Sequence, residues 1–425
     1  MLMSAGEAKK PRKGVAHQFA WVSSGRILAA VLQAFGLVLV ARSVSPGDFG
    51  VLAAFLGVAA VAQTVIDGGV STFVIRERAA RPGSGDIAVG LRFNNVTSTI
   101  LGAVTGATVL LLGWLATPTY LLLLPLAVWI GAQRNADNRL SILIADGDAW
   151  INVSNLLARR ALSVGIIATG IGIGLNPILA FALAEATSCA ASAIFANVFI
   201  RRRVAPRSSL SFAKLLRSSS PYWVHSMATQ ARNLDSLLVG LAAGPTQAGF
   251  YSSGSRLTNP LRILPNSLSV VLMPEATRAH ANSRSMKPFL KLSGIMVLAT
   301  LVLAVALVVL TPWAVQFGLG KEYVPAIPAV QVTVAALPLW SAISLLQAIL
   351  QSTGNKRAVA VTSTTFAVIA LAGVAIGANQ WGATGAAFAV TASLVVQAAT
   401  LAVRLTATLR RRPNGSATST PTDTN

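Results

Sequence analysis

The chain has 425 residues, 54% of them apolar and 11% charged, with a mean hydropathy of +0.65. That balance lies outside the soluble range and points to a polytopic membrane protein. The 34 Lys and Arg against 13 Asp and Glu leave a net charge of +21; nucleic acid is excluded as its cause, because topology accounts for it.

From the N-terminus, the basic run KKPRK precedes an apolar stretch too long for a signal-peptide core, and a second stretch follows within ten residues, so a retained first helix is expected. A hydrocarbon core needs roughly 20 helical residues. Candidate spans fall at 19–42, 49–73, 88–116, 119–145, 150–174 and 177–200, then at 218–243, 246–274, 290–316, 325–350, 357–378 and 382–407. The fourth is the weakest, because YLLLLPLAVWIGA runs into QRNADNR. The ninth, LSGIMVLATLVLAVALVVLTPWAVQF, carries no charge.

With the N-terminus inside, the inner segments hold 24 Lys and Arg, Arg134 and Arg139 among them, against Arg42 and Lys321 outside. That is the bias of the positive-inside rule, and it explains most of the net charge through topology and anionic lipid headgroups. The expectation is a multi-pass plasma-membrane protein with both termini cytoplasmic. One cysteine, Cys189, excludes an intrachain disulfide, and His17, His225 and His280 are too scattered for a metal cluster. No cofactor is expected.

The basic segment RRRVAPRSSLSFAKLLR is the natural boundary. It divides a cytoplasmic tail (1–18) and an N-lobe (19–200) from a linker (201–217), a C-lobe (218–407) and a polar tail (408–425). A shift of 199 residues lays Pro46 on Pro245 and Gly50 on Gly249, both in outer turns. A shift of 207 lays Gly147 on Gly354 and AFAL at Ala180 on AFAV at Ala387. Six spans per half imply a parallel repeat about an axis along the membrane normal, with a substrate site between the halves. The fold class expected is therefore all-α, about 12 transmembrane helices in two pseudo-symmetric six-helix lobes.

Polar residues fall in stripes. In the seventh span His225, Thr229, Arg232 and Ser236 share one face; in the eighth, Ser252, Ser255, Asn259, Arg262 and Asn266 do so, with Arg256 beside them. Pro260 and Pro265 are expected to kink that helix, tolerable beside a polar cavity. The 199 shift carries Arg26 onto His225, Gln33 onto Arg232, Gln63 onto Arg262 and Asp67 onto Asn266, which suggests a net-positive lining shared by both halves. Arg232 and Asp235 stand at i, i+3 and invite a structural pair instead. Arg26 can snorkel to the inner surface. Arg92, Arg159 and Arg160 read as interfacial. Asp67, Glu185 and Asp235 are the candidates for ion coupling, a lone hydrogen-bonded acid being the competing reading of Glu185. An Arg-lined cavity suits an anion, since guanidinium binds phosphate bidentately and stays charged.

The segment ARSVSPGDFGVLAAFLGVAAVAQTVIDGGVSTFVIRE, with its pattern AR-x(3)-P-x-DFG … DGG from Ala41 to Gly69, resembles the start of lipid-linked oligosaccharide flippases. These are the O-antigen and polysaccharide transporters of the multidrug/oligosaccharidyl-lipid/polysaccharide (MOP) superfamily. LDSLLVGLAAGPTQAGFYSSGSRL is similar to that family's seventh and eighth helices. The resemblance implies a MATE-like bundle, alternating access, and transfer of an undecaprenyl-(di)phosphate-linked glycan between leaflets for cell-surface polysaccharide. It implies membrane lipids, a polysaccharide polymerase and glycosyltransferases as partners, and phosphate contacts from Arg26, Arg232, Arg256 and Arg262. An ion-coupled drug exporter would call for acids and aromatics in the cavity. A flippase for the peptidoglycan precursor would call for more spans than 425 residues hold. An enzyme would need a catalytic constellation, and the sequence has no nucleotide loop and no large soluble loop. A non-transporting scaffold leaves the polar stripes unexplained.

Overall fold

The computed structural model describes residues 15–204, 211–282 and 284–410, so most of both expected tails and part of the 201–217 linker fall outside it. The first group of helices is α1 (Val15–Ser43), α2 (Pro46–Asp67), α3 (Val70–Ala80), α4 (Asp86–Leu115), α5 (Leu126–Asp146), α6 (Ala149–Gly172) and α7 (Pro177–Arg201). The second is α8 (Phe212–Gln230), α9 (Asp235–Ala243), α10 (Pro245–Leu257), α11 (Asn259–Ala281), α12 (Lys287–Ala314), α13 (Ile327–Ala335), α14 (Leu337–Ser352) and α15 (Lys356–Arg410). The last is bent at Trp381 and Gly382 into two legs. With α2–α3, α8–α9, α10–α11 and α13–α14 each forming one interrupted leg, the described residues make the twelve passes expected, and no strand occurs among them.

Local sequence sets the ends. Ser45 Oγ accepts the Asp48 N–H at 3.1 Å and Pro46 fills the first helical position, so α2 starts there. Gly147 ends α5 at φ 88° and Gly354 ends α14 at φ 90°. Both ends close the same way: Asp148 N–H donates to Leu143 O at 2.8 Å, and Asn355 N–H to Leu350 O at 3.1 Å. These are the two glycines that the 207-residue shift superposes.

In the first group α5 packs on α4 and α7, and α6 on α1 and α7; in the second α14 packs on α11 and α12, and α15 on α9, α13 and α14. The seam between groups runs along α2, which meets α8, α9 and α10. At the end opposite the basic segments the seam is reciprocal. A Cβ on Gly50 would overlap the Pro245 carbonyl and stand 2.7 Å from Gly249 N, and a Cβ on Gly249 would overlap the Pro46 carbonyl. Residues aligned by the 199 shift thus face each other across one axis, as an isologous contact requires. Fully buried Tyr323 caps this end, its ring edge-on to Phe49 at 6.3 Å and to Phe250 at 6.2 Å.

Seven described stretches are long and apolar enough to cross a membrane by composition alone, the last covering both legs of α15. The legs that fall short are α5, α6, α8–α9 and α10–α11, and each has a structural reason. Arg134 and Arg139 lie inside α5, in the polar half expected of the fourth span, and are only 6% and 8% exposed; Arg159 and Arg160 of α6 are likewise buried, not interfacial. Arg134 meets Asp67 at 3.4 Å, Arg159 meets Asp137 at 2.9 Å and Arg160 meets Glu185 at 3.0 Å. Opposed charges on facing helices make those side chains tolerable in the lobe interior. Arg92, by contrast, is exposed.

Candidate functional site

The seventh and eighth legs break at the same depth. Between α8 and α9 the chain tightens into a 3-10 turn, Ala231–Leu234. Between α10 and α11 it breaks at Thr258, where Pro260 supplies no N–H; α11 then runs on through Pro265. A 3-10 turn advances 120° per residue instead of 100° and re-aims the side chains that follow. Arg232 and Asp235 therefore do not pair. Arg232 donates to Gln397 Oε1 at 3.0 Å, while Asp235 accepts the Tyr251 hydroxyl at 2.9 Å and the Ser236 N–H at 2.6 Å. Asp235 opens α9, where the helix dipole favours a carboxylate. Ser252 completes the cluster by donating to Ser236 Oγ at 3.0 Å.

The breaks border a cavity of about 150 Å³ lined by α2, the 3-10 turn, α9, α10, α11, α13, α14 and α15. Arg232, Arg256 and Arg262 all reach it, and Asp235 is the one carboxylate among its described lining residues. Two of the guanidinium groups lie against the Trp340 ring, Arg262 at 4.3 Å from the ring centroid and Arg232 at 5.1 Å. Both cation–π distances lie within reach of the ring quadrupole. Arg256 leans across the seam and donates to the Ala53 carbonyl of α2. Arg262 donates to Thr258 Oγ1 at 3.3 Å. Among the described residues none of the three forms an ion pair, and Nε of Arg256 and of Arg262 is buried without a protein acceptor. A concave, desolvated, net-positive site of this kind has the chemistry that suits an anion.

Of the remaining expected residues, Ser255 and Asn259 line the cavity. Asn266 lies further along α11, exposed and outside the cavity lining, and accepts a hydrogen bond from Ser344 Oγ at 2.8 Å. The side chains of His225 and Thr229 lie outside the described residues. Arg26 and Gln33 are both exposed, away from the cavity. They share a face of α1 next to the side packed on α6 through Gly25 and Gly36 and opposite the exposed apolar stripe of Leu28, Val31 and Phe35. Gln63 donates to Ile130 O at 3.2 Å inside the first group of helices. Asp67 accepts Ser71 Oγ at 2.5 Å besides meeting Arg134, and Glu185 accepts Ser163 Oγ at 2.9 Å besides Arg160. The cavity therefore belongs to the C-lobe plus α2, not equally to both halves. Trp340 and Tyr251 line it, and Gln397 holds Arg232; sequence reasoning passed over all three. Tyr251 lies four residues before Ser255 on the same stripe and was within reach; an aromatic in LPLWSAISLLQ carries no such mark.

The model of the family described as polysaccharide biosynthesis protein matches residues 39–126 and 149–328, well over half of the chain. That of the lipid II flippase MurJ matches residues 243–418. Among solved structures the chain is similar to a multidrug resistance MATE family transporter of the MOP superfamily in an inward-facing conformation. The TM-score is 0.74 at 16% identity, over 90% of this chain and 96% of that one. It is similar to lipid II flippase MurJ in an inward closed conformation, at TM-score 0.69 and 14% identity over 91% and 87%. It is also similar to a MOP superfamily transporter from Pyrococcus furiosus described by the reverse polarity of its binding pocket, at 0.67 and 15% over 95% and 100%. No curated protein matches the sequence. The chain belongs to the polysaccharide biosynthesis protein family and is a multi-pass membrane protein with the fold seen in transporters of the MOP superfamily.

Proposed function

We propose that the protein is a flippase that carries a polyprenyl-(di)phosphate-linked oligosaccharide across the plasma membrane by alternating access, both termini facing the cytoplasm. One observation carries the reading: Arg232, Arg256 and Arg262 converge on the lobe seam around a single carboxylate, Asp235, with none of the three in an ion pair among the described residues and with two buried N–H groups unused. A phosphate satisfies such a set through charge-assisted hydrogen bonds about twice as strong as neutral ones. The cavity is too small for the sugar and its carrier, so it holds the phosphate while the glycan passes through the cleft between lobes.

Arg256 gives the coupling. Its guanidinium now holds the Ala53 carbonyl of the opposite lobe. A phosphate is the stronger acceptor, so its arrival draws Arg256 off α2 and loosens the seam. The far-end seal at Pro46, Gly50, Pro245 and Gly249 then has less holding it, and the protein opens outward. Asp235, Asp67 and Glu185 remain the carboxylates to which an ion gradient could couple. Of these Asp235 alone lines the cavity, and its bonds to Tyr251 and Ser236 rearrange if it takes a proton. The basic lining disfavours organic cations as cargo.

The MurJ match over residues 243–418 supports a second reading, flipping of the peptidoglycan precursor, whose diphosphate suits the same arginines. Mass spectrometry of lipid-linked glycans separates the two. In a strain lacking the gene, a polyprenyl-linked oligosaccharide should accumulate; wild type should clear it and Arg256→Ala, Arg262→Ala should not. Accumulation of the peptidoglycan precursor instead selects the second reading. If no lipid-linked sugar accumulates, the flippase reading fails.

A further inference from the structure

A second basic site lies at the opposite lobe and at the other depth. A cleft of about 370 Å³ opens between the basic ends of α4, α5 and α7, within the size of ordinary ligand pockets. Arg92, Arg139 and Arg201 line it, one from each helix, with Asn95 and Asn197 and no carboxylate. Arg139 forms the floor. It is 8% exposed and is held by neutral groups only, donating from Nε to Asn135 Oδ1 at 2.8 Å and from Nη2 to Asn95 Oδ1 at 2.9 Å. Those bonds fix its direction and leave its charge uncancelled. Arg92 and Arg201 are exposed at the rim.

The contrast with neighbouring arginines is informative. Arg78 takes Asp146 at 2.6 Å and Arg203 takes Asp148 at 2.6 Å at the same end of the lobe, while Arg134, Arg159 and Arg160 take the acids deeper in. Among the described residues the three cleft arginines form no ion pair. What continues from the rim is apolar. Arg92, Val96 and Ile100 follow one another at i, i+4, i+8 along α4, with Val96 and Ile100 exposed. On α7, Ile194, Val198 and Arg201 stand at i, i+4, i+7, the first two 65% and 63% exposed. Each wall is thus a stripe with a guanidinium at the membrane-surface end and bare aliphatic groups running toward the membrane centre. That is the profile of an anionic amphiphile, an acid head with chains beside it.

We infer that this cleft binds the phosphate head of an anionic lipid in the leaflet at the basic end of the molecule, its chains lying along Val96, Ile100, Ile194 and Val198. Basic pockets between transmembrane helices on the cytoplasmic side hold lipid heads in this manner. The site is separate from the seam cavity and shares no residue with it. Two lipids carry the required chemistry, a bulk phospholipid such as phosphatidylglycerol and a polyprenyl phosphate carrier.

Native mass spectrometry of the delipidated full chain tests this with four probes: phosphatidylglycerol, zwitterionic phosphatidylethanolamine, polyprenyl phosphate and inorganic phosphate. Wild type should retain phosphatidylglycerol over phosphatidylethanolamine. Arg92→Gln with Arg201→Gln, both exposed and outside every described ion pair, should weaken that retention roughly thirtyfold, from about fivefold per arginine. Arg256→Ala with Arg262→Ala should leave it unchanged. Displacement of phosphatidylglycerol by equimolar polyprenyl phosphate names the carrier as the occupant; failure to displace it names the bulk lipid. Equal retention by wild type and the Arg92, Arg201 variant overturns the inference. So does equal retention of phosphatidylethanolamine, or displacement by equimolar inorganic phosphate.

Discussion

The far-end seal makes a quantitative demand. Alanine at Gly50 places a methyl group 2.7 Å from Gly249 N, against the 3.4 Å at which ordinary contact begins, and inside the Pro245 carbonyl. The atoms it meets are backbone, so no side chain can swing aside. The two lobes must part by at least about 0.7 Å there, and by more to clear the oxygen. Overpacking of this kind costs about 1–3 kcal/mol, and the cost falls only on the state in which α2 and α10 touch. Every 1.4 kcal/mol shifts a two-state equilibrium about tenfold. Gly50→Ala should therefore raise the far-end-open population by about fivefold to more than a hundredfold, and Gly249→Ala, its mirror across the seam, should do the same. Nitroxide labels at Thr119→Cys and Glu322→Cys, both exposed at that end, read the separation by pulsed electron resonance. Cys189 is buried and stays unlabelled. A distance distribution identical in wild type and both alanine variants would refute the claim that this contact seals the far end.

Glu185→Gln leaves Arg160 uncompensated in the lobe interior and should cost about 3–5 kcal/mol, read as a lower unfolding temperature in detergent, with Arg160→Met added to Glu185→Leu restoring much of it. A variant that unfolds like wild type yet loses the pH dependence of transport would move Glu185 from structure to coupling. Trp340→Leu removes the ring shared by Arg232 and Arg262, at about 0.5–2 kcal/mol per contact; calorimetric titration with a polyprenyl phosphate should show weakening of several-fold or more, and unchanged affinity refutes the shared-ring role. Tyr251→Phe strips Asp235 of its 2.9 Å bond and should cost about 1.5–3 kcal/mol. In a cycle with Asp235→Asn the two changes should be far from additive, and additivity would mean that the pair does not act as a unit.

The sequence made the passes legible because each is a long apolar run, and the repeat legible because its markers are backbone devices. Pro46, Gly50, Gly147 and their counterparts Pro245, Gly249 and Gly354 hold their places through φ angles and close approach, which tolerate no substitute and so survive when side chains diverge. The interior charges were not legible. Arg134, Arg159 and Arg160 look interfacial when only neighbours in sequence are visible, since Asp67, Asp137 and Glu185 come from other helices. Arg232 and Asp235 look like a pair when an unbroken helix is assumed, and the 3-10 turn at Ala231–Leu234 removes that assumption.

That failure locates the site more sharply than the stripes did. If the repeat extended to function, polar residues of the two halves would line the cavity alike; instead Gln63 and Asp67 are consumed within their own lobe. The buried arginines of the N-lobe interior are each met by a carboxylate or, for Arg139, by two asparagines. Those of the C-lobe rest on a ring, an amide, a hydroxyl and one carbonyl of the other lobe. A buried charge without an ion-pair partner costs several kcal/mol, and among the described residues none of Arg232, Arg256 and Arg262 forms an ion pair. On the proposed function that cost is recovered when an anion enters. Because Arg256 spans the seam, the step proposed to recover it would also untie the lobes, so cargo would change the conformation through the residues least stable at rest.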